Sequence, residues 1–324
     1  MKTHKIIVTD YIEENLDWEA EQLKDLPVEF YALQLKQAPL DELIKKIADA
    51  DILVVNMAQI NADVLAKLQK CKLIIRHGAG YDNVDINAAT KHGIQVCYVP
   101  DYCQEEVAEQ AMMLLLAAFR KFNRQLESMK ISVQKGEWDF SPIIPLAKLA
   151  GKKVGIIGCG RIGSKVLKML RGFNADVLVC DPFLTSDRKA ELNIESIPLD
   201  EVLSQSDLVT IHCSLTPETR GLINEHNLKL MKKNAILINT ARGAIVDSKA
   251  LAKAITENWI AGAAIDVYGK EPPHKNFELI DLQNVILTPH ISWYSVDAEW
   301  NIREKIIEDI KRHLDGLKPR FPIN

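Results

Sequence analysis

A chain of 324 residues is too long for one ordinary hydrophobic core and fits two domains. Hydrophobic residues make up 47% and charged residues 26%, with a net charge of −4 and both signs mixed along the length. That balance suits a globular protein in water and excludes nucleic acid as the main ligand, since a phosphate backbone demands a concentrated basic surface.

Short runs dense in Val, Ile and Leu predict strands over 5–9, 51–56, 72–76, 153–157, 176–180, 207–212, 235–239 and 261–266. Runs this continuous mark strands buried on both faces of a parallel sheet. Helical stretches fall between them, as at 40–50, 62–69, 162–170 and 248–257, which is the βαβ rhythm of doubly wound sheets. Two breaks divide the pattern. At Tyr98-Val99-Pro100-Asp101 a proline ends a strand, and a single helical run is expected from Gln104 to about Met129. Its 111–118 stretch is apolar nearly all round, so it must be buried, between domains or against another subunit. The second break is Gly269-Lys270-Glu271-Pro272-Pro273, followed by Thr288-Pro289-His290 and an amphipathic helix over about 295–315.

No run approaches the ~20 apolar residues that cross a bilayer. The opening MKTHKIIVTDY lacks the pattern of a signal peptide, so a cytoplasmic protein is expected. Cys71, Cys97, Cys103, Cys159, Cys180 and Cys213 form no CxxC pair and have no histidine at metal-ligand spacing. They read as buried structural thiols, and no metal is expected.

The run Val154-Gly155-Ile156-Ile157 leads straight into Gly158-Cys159-Gly160-Arg161-Ile162-Gly163, a G-x-G-x-x-G turn between a strand and a helix. The first glycine permits the tight turn, the second lets a pyrophosphate approach the backbone, and the third lets the helix pack closely. Arg161 and Ile162 open the helix whose N-terminus faces the phosphates. Asp181 ends the next apolar run, about 20 residues on, where an acid accepts from the ribose hydroxyls and repels a 2′-phosphate. NAD is therefore favoured over NADP; Arg188 reads as a surface residue.

Arg242, Glu271 and His290 are read as lying at strand ends in the second half, where open α/β sheets bind ligands. Taken singly they read as a turn arginine, a loop carboxylate and a satisfied histidine. Taken together they suit reduction of a 2-oxo acid: a cation for the carbonyl, a proton donor for the nascent alkoxide, and a carboxylate to orient that donor. His77, His212 and His226 read as structural.

Over nearly its whole length the sequence resembles the D-isomer-specific 2-hydroxyacid dehydrogenases. The resemblance is carried by Gly78-Ala79-Gly80-Tyr81-Asp82-Asn83-Val84-Asp85, the glycine turn, His212-Cys213-Ser214-Leu215-Thr216 ahead of Thr219, Asn239-Thr240-Ala241-Arg242-Gly243, Asp266-Val267-Tyr268 through Glu271-Pro272, and Thr288-Pro289-His290-Ile291. It implies that Arg242 binds and polarises the substrate, His290 exchanges the proton and Glu271 pairs with His290. It also implies that backbone N–H groups of Gly78, Ala79 and Gly80 hold the carboxylate, and that Asp266 lies near the nicotinamide. Cys213, Thr219, Thr240 and Ala241 would complete the cofactor site. The implied fold is two Rossmann-like or flavodoxin-like doubly wound parallel-sheet domains with an active-site cleft between them. Residues 1–100 plus 296–324 would bind substrate and 101–295 would bind NAD, with a homodimer formed through the 132–145 segment and the apolar helix.

Arg76-His77-Gly78 and His290-Ile291-Ser292-Trp293-Tyr294-Ser295 are similar to the C-terminal-binding-protein branch of the family. That likeness implies a second cationic contact from Arg76 and an apolar or thioether substrate group against Trp293. The alternative is that Arg76 pairs with a nearby acid and Trp293 packs as core. Ser214 and Gln110 depart from the commoner pattern, where Pro and His are usual. Two other readings stay open: an NAD(H)-sensing, corepressor-like scaffold, and a D-3-phosphoglycerate dehydrogenase. Against the first stand the three catalytic residues and the absence of long disordered tails. Against the second, no stretch remains for the regulatory domain that such enzymes often carry.

Overall fold

The computed structural model describes residues 3–324. The chain divides into two compact units, Met1–Cys103 with Ser295–Asn324, and Gln104–Tyr294. Each is built on its own parallel sheet.

The first unit alternates β1 (His4–Val8), α1 (Asp17–Leu23), β2 (Val28–Ala32), α2 (Leu40–Ile47), β3 (Ile52–Val55), α3 (Ala62–Leu65), β4 (Leu73–Arg76), α4 (Ile86–Lys91) and β5 (Gln95–Tyr98). Its five strands run parallel in the order β2-β1-β3-β4-β5, the flavodoxin-like arrangement. Ile7, Leu53, Val55, Ile74 and Val96 pack with Leu43 and Ile47 of α2 and Val64 and Leu65 of α3. Each such buried side chain contributes about 1.5–3 kcal/mol. β2 is an edge strand whose residues alternate between half-buried and exposed, and no continuous apolar run announced it.

The second unit contains α5 (Gln104–Phe119), α6 (Phe122–Lys135), β6 (Lys153–Ile157), α7 (Arg161–Gly172), β7 (Asp176–Cys180), α8 (Ser186–Leu192), α9 (Leu199–Gln205), β8 (Leu208–Ile211), α10 (Glu225–Leu230), β9 (Ile236–Asn239), α11 (Ser248–Thr256), β10 (Gly262–Ile265) and β11 (Val285–Leu287). Its six parallel strands are ordered β11-β10-β9-β8-β6-β7. The single helix expected over 104–129 is instead two. Lys121 adopts a left-handed conformation (φ 54°) between α5 and α6, and its ammonium donates to the carbonyls of Ile143 and Pro145. Neither Gly nor Pro marks that break.

The last helix, α12 (Val296–Leu314), returns to the first unit and packs on α1 and β4. A buried bidentate pair fastens it: Arg303 Nε and Nη2 donate to the Glu19 carboxylate at 2.6 and 2.8 Å. The tail then closes the β5 edge, with Ile323 N donating to Val96 O.

Candidate active site

Register builds the site. Ile157 pairs with Cys180 and Ile211, Ile211 with Asn239, Asn239 with Ile265, and Ile265 with Leu287. The residues next in chain, Gly158, Asp181, His212, Thr240, Asp266 and Thr288, therefore form one row along the carboxyl edge of the sheet. That edge, at the strand-order reversal between β6 and β8, is where doubly wound sheets bind ligands.

At the reversal the chain turns at Gly158, which has φ 87°. A Cβ there would stand 2.5 Å from Cys213 N, so only glycine lets the turn lie against the loop after β8. Gly163 is pressed as closely, its missing Cβ 2.2 Å from Gly158 O. Gly160 differs: a Cβ there would meet no protein atom within 4 Å. It is the N-cap of α7 and, as glycine, supplies no side-chain cap to the first turn of that helix.

Asp181 is bound into this turn. Its Oδ2 accepts from Cys159 N at 2.8 Å, its Oδ1 from Phe183 N at 3.0 Å, and Ser196 Oγ accepts from its own N–H. Arg188, expected on the surface, reaches back to Ser164 Oγ on α7 (3.1 Å) and pairs with Glu191. Thr219 Oγ1 donates to Ser214 O and accepts from Thr216 N, so it closes its own loop. Ala241 N donates to Asn239 Oδ1, and Cys213 is half-buried beside Gly158. Three features suit a dinucleotide: the open space at Gly160, the remaining acceptor capacity of Asp181, and the buried Thr240 Oγ1, which has no hydrogen-bond partner.

His212 lies in the same row, its Nε2 2.9 Å from Thr210 Oγ1. Desolvation lowers its pKa to about 4, from the ordinary 6.5 of a histidine. The neutral ring is thus favoured by folding, and stability is complete above the unfolded pKa and lost as pH falls towards about 4. The loss is at most about 3 kcal/mol, and less to the extent that solvent reaches the half-buried side chain. Urea unfolding at about pH 7 and about pH 5 should show His212→Gln losing less stability on acidification than the parent. Equal losses would remove His212 as the cause.

Arg242, Glu271 and His290 come together. His290 Nδ1 is 2.7 Å from Glu271 Oε2, with both side chains about one-third exposed (35% and 34%). A carboxylate only accepts, so Nδ1 carries the proton and Nε2 is left for exchange. Partial burial would raise the Glu271 carboxyl. The hydrogen bond and charge of His290, the Tyr268 N–H and the charge of Arg242 outweigh it and hold that carboxyl below its ordinary value. Arg242 Nη1 also donates to Ala241 O.

His290 itself is left-handed, φ 53°, a conformation uncommon for any residue but glycine. Asp266, expected beside the nicotinamide, is fully buried and turned towards this strained turn, where its carboxylate accepts from Thr288, Ile291 and Ser292. Sequence reasoning gave no role to Ser292, Ser196 or Tyr268 Oη, which donates to Thr288 O. Their partners lie 15 to 26 residues away in sequence, so no local spacing reveals these bonds. Trp293 is half-buried and edge-on to Tyr294, ring centroids 5.3 Å apart.

In the first unit, Arg76 ends β4 and folds across Gly78. Its Nη1 donates to His77 O at 2.7 Å and occupies the space a Gly78 Cβ would need, 1.5 Å away. Ala79 and Gly80 continue this half-buried loop. Two motif residues have structural work: Asn83 Nδ2 donates to the carbonyls of Asn56 and Ala58, and Asp85 caps α4. Behind the loop, His77 Nε2 lies 3.3 Å from the buried Glu13 carboxylate; burial lowers the His77 pKa against the pull of Glu13.

Residues 112–292 match the family model described as D-isomer specific 2-hydroxyacid dehydrogenase, NAD binding domain. The chain belongs to this dehydrogenase family. Among its relatives in the family, the glyoxylate reductase of Pyrococcus horikoshii is 40% identical, over 87% of this chain and 84% of that one. The D-3-phosphoglycerate dehydrogenase of Methanocaldococcus jannaschii is 38% identical over 96% of this chain, which spans only 58% of that protein's length. Among solved structures, the Aquifex aeolicus D-lactate dehydrogenase complexed with NAD and lactic acid superposes with a TM-score of 0.85 at 30% identity, covering 96% of each chain. A dehydrogenase of this family with two parallel-sheet α/β units is thus what the sequence reading anticipated.

Proposed function

We propose that the protein is an NADH-dependent reductase of a small 2-oxo acid, giving the D-2-hydroxy acid. The observation that carries this reading is the His290–Glu271 pair, with the charge of Arg242 acting on Glu271, on the same sheet edge as the glycine turn. In the proposed division of labour, residues 101–295 bind NAD and residues 1–100 with 296–324 bind substrate. Arg161, Ile162 and Gly163 offer their N–H groups to the pyrophosphate, Asp181 accepts from the adenosine ribose, and Thr240 Oγ1 gains a polar partner. NADH supplies the hydride. Arg242 polarises the carbonyl and neutralises charge growing on its oxygen. His290 then delivers the proton from Nε2 to that oxygen, while Glu271 stabilises the imidazolium and fixes its plane. Gly78, Ala79 and Gly80 hold the carboxylate through backbone N–H groups, Arg76 adds a second cation, and Trp293 walls the substrate side chain.

A homodimer through the NAD-binding unit is part of the proposal. Val133, Trp138 and Phe140 are 69%, 79% and 59% exposed, an apolar display that a monomer would leave in water. Among the described residues no helix is long and apolar enough to cross a membrane, and a cytoplasmic enzyme is proposed.

The test is NADH oxidation with glyoxylate, pyruvate, hydroxypyruvate, phenylpyruvate, 4-methylthio-2-oxobutyrate and 3-phosphohydroxypyruvate. Turnover of at least one is expected, with a D-configured product wherever the product is chiral; none at saturating NADH would overturn the reading. Asp181→Ala should weaken NADH about tenfold, the worth of a charge-assisted hydrogen bond, and narrow the preference over NADPH. Fluorescence titration with both cofactors reads this directly, and a parent that already prefers NADPH would contradict the role given to Asp181.

A further inference from the structure

A single buried carboxylate receives four hydrogen bonds from the turn that bears His290. Asp266 Oδ1 accepts from Thr288 Oγ1 and from Ile291 N (3.1 Å); Oδ2 accepts from Ser292 N (2.9 Å) and Ser292 Oγ. Asp266 is itself fastened to the sheet, its N–H donating to Asn239 O at 3.0 Å. A carboxylate has about four lone-pair sites, so these four donors fill it. The donors bracket His290, one before it and three after it, and His290 is the residue with the positive φ. A left-handed non-glycine residue persists only where its surroundings over-determine it. Here the surroundings are identifiable: Ser292, 4% exposed, and Thr288 hold the two ends of the turn to one point.

We propose that Ser292 and Thr288 are positioning residues for proton transfer, their hydroxyls completing a four-donor clamp on Asp266 that holds His290 left-handed with Nδ1 on Glu271. The inference rests on the reductase reading above for its kinetic consequence, but not for its structural one. Without the Ser292 hydroxyl, Oδ2 keeps one donor, the turn gains freedom, and Nε2 is presented over a range of directions. The loss falls on the step that uses His290, because neither hydroxyl is assigned a contact with cofactor or substrate.

Ser292→Ala and the near-isosteric Thr288→Val should each lower kcat about tenfold, the scale of a sub-ångström misplacement, with KM for the 2-oxo acid and Kd for NADH within about twofold of the parent. The double variant should lose less than the product of the two, since both act through one carboxylate. A readout independent of turnover is the downfield, slowly exchanging Nδ1 proton that a carboxylate-bound histidine gives by NMR, identified by its loss in Glu271→Gln. It should be sharp in the parent and broadened in both single variants. Unchanged kcat and an unchanged proton in a folded Ser292→Ala would overturn the clamp, and the same result in Thr288→Val would do so should Ser292→Ala fail to fold. If the parent turns over no 2-oxo acid yet its proton is sharp and the two variants show the broadening, the clamp stands and only the reductase reading is defeated.

Discussion

His290→Asn is expected to lose about a thousandfold in kcat while binding NADH as the parent does. The magnitude follows from general acid catalysis, which contributes about 10²–10⁴-fold when a positioned group protonates an alkoxide. Asparagine is the informative replacement because of the backbone. At φ 53° a residue without special tolerance is strained, and asparagine visits this region more readily than alanine. His290→Ala would combine the loss of the acid with a turn free to relax, and the two effects would not be separable. His290→Asn keeps the turn, so its unfolding midpoint should match the parent's. The glycine turn, Asp181 and Thr240 take no hydrogen bond from His290, whose ring bonds to Glu271. Cofactor titration should therefore be unmoved, and activity within tenfold of the parent would remove His290 as the proton donor.

The fold was legible wherever burial was two-sided. β3 and β8 are buried along their whole length, and their continuous apolar runs left little choice of element. β2 escaped because an edge strand with half-exposed faces needs no such run, and β11 because three residues carry too little pattern. The break at Lys121 had no sequence sign, since the carbonyls that receive its ammonium lie more than twenty residues on.

The site followed a similar division. Residues whose function depends on a local backbone shape, such as Gly158 and Gly160, are visible as spacing. So are Arg242, Glu271 and His290, each placed near a strand end. What stayed hidden is the support: Ser292 and Thr288 on Asp266, Ser196 on Asp181, Glu13 on His77. Each is an ordinary polar residue whose meaning comes from a partner far along the chain. The left-handed backbone of His290 was hidden too, because no residue type there requires it.

The second large effect separates glycine's two uses within one turn. Gly160→Ala should leave stability close to the parent's, because its Cβ would meet no protein atom within 4 Å. Yet it should weaken NADH about a hundredfold, equivalent to about 2.8 kcal/mol, because the second glycine of the motif is where the pyrophosphate approaches the backbone. Gly158→Ala should do the reverse first. A Cβ would lie 2.5 Å from Cys213 N and 2.7 Å from its Cα, and φ 87° is strained for alanine. Backbone on both sides cannot rotate away as a flexible side chain would. A cost of at least about 2 kcal/mol is expected, read as a lowered urea midpoint without cofactor. Saturating NADH should then raise the Gly158→Ala midpoint, by mass action, more than it raises that of Gly160→Ala, whose protein is sound but whose phosphate seat is filled. If Gly160→Ala bound NADH as tightly as the parent, the space above α7 would not be the pyrophosphate site, and the cofactor would have to lie elsewhere along the sheet edge.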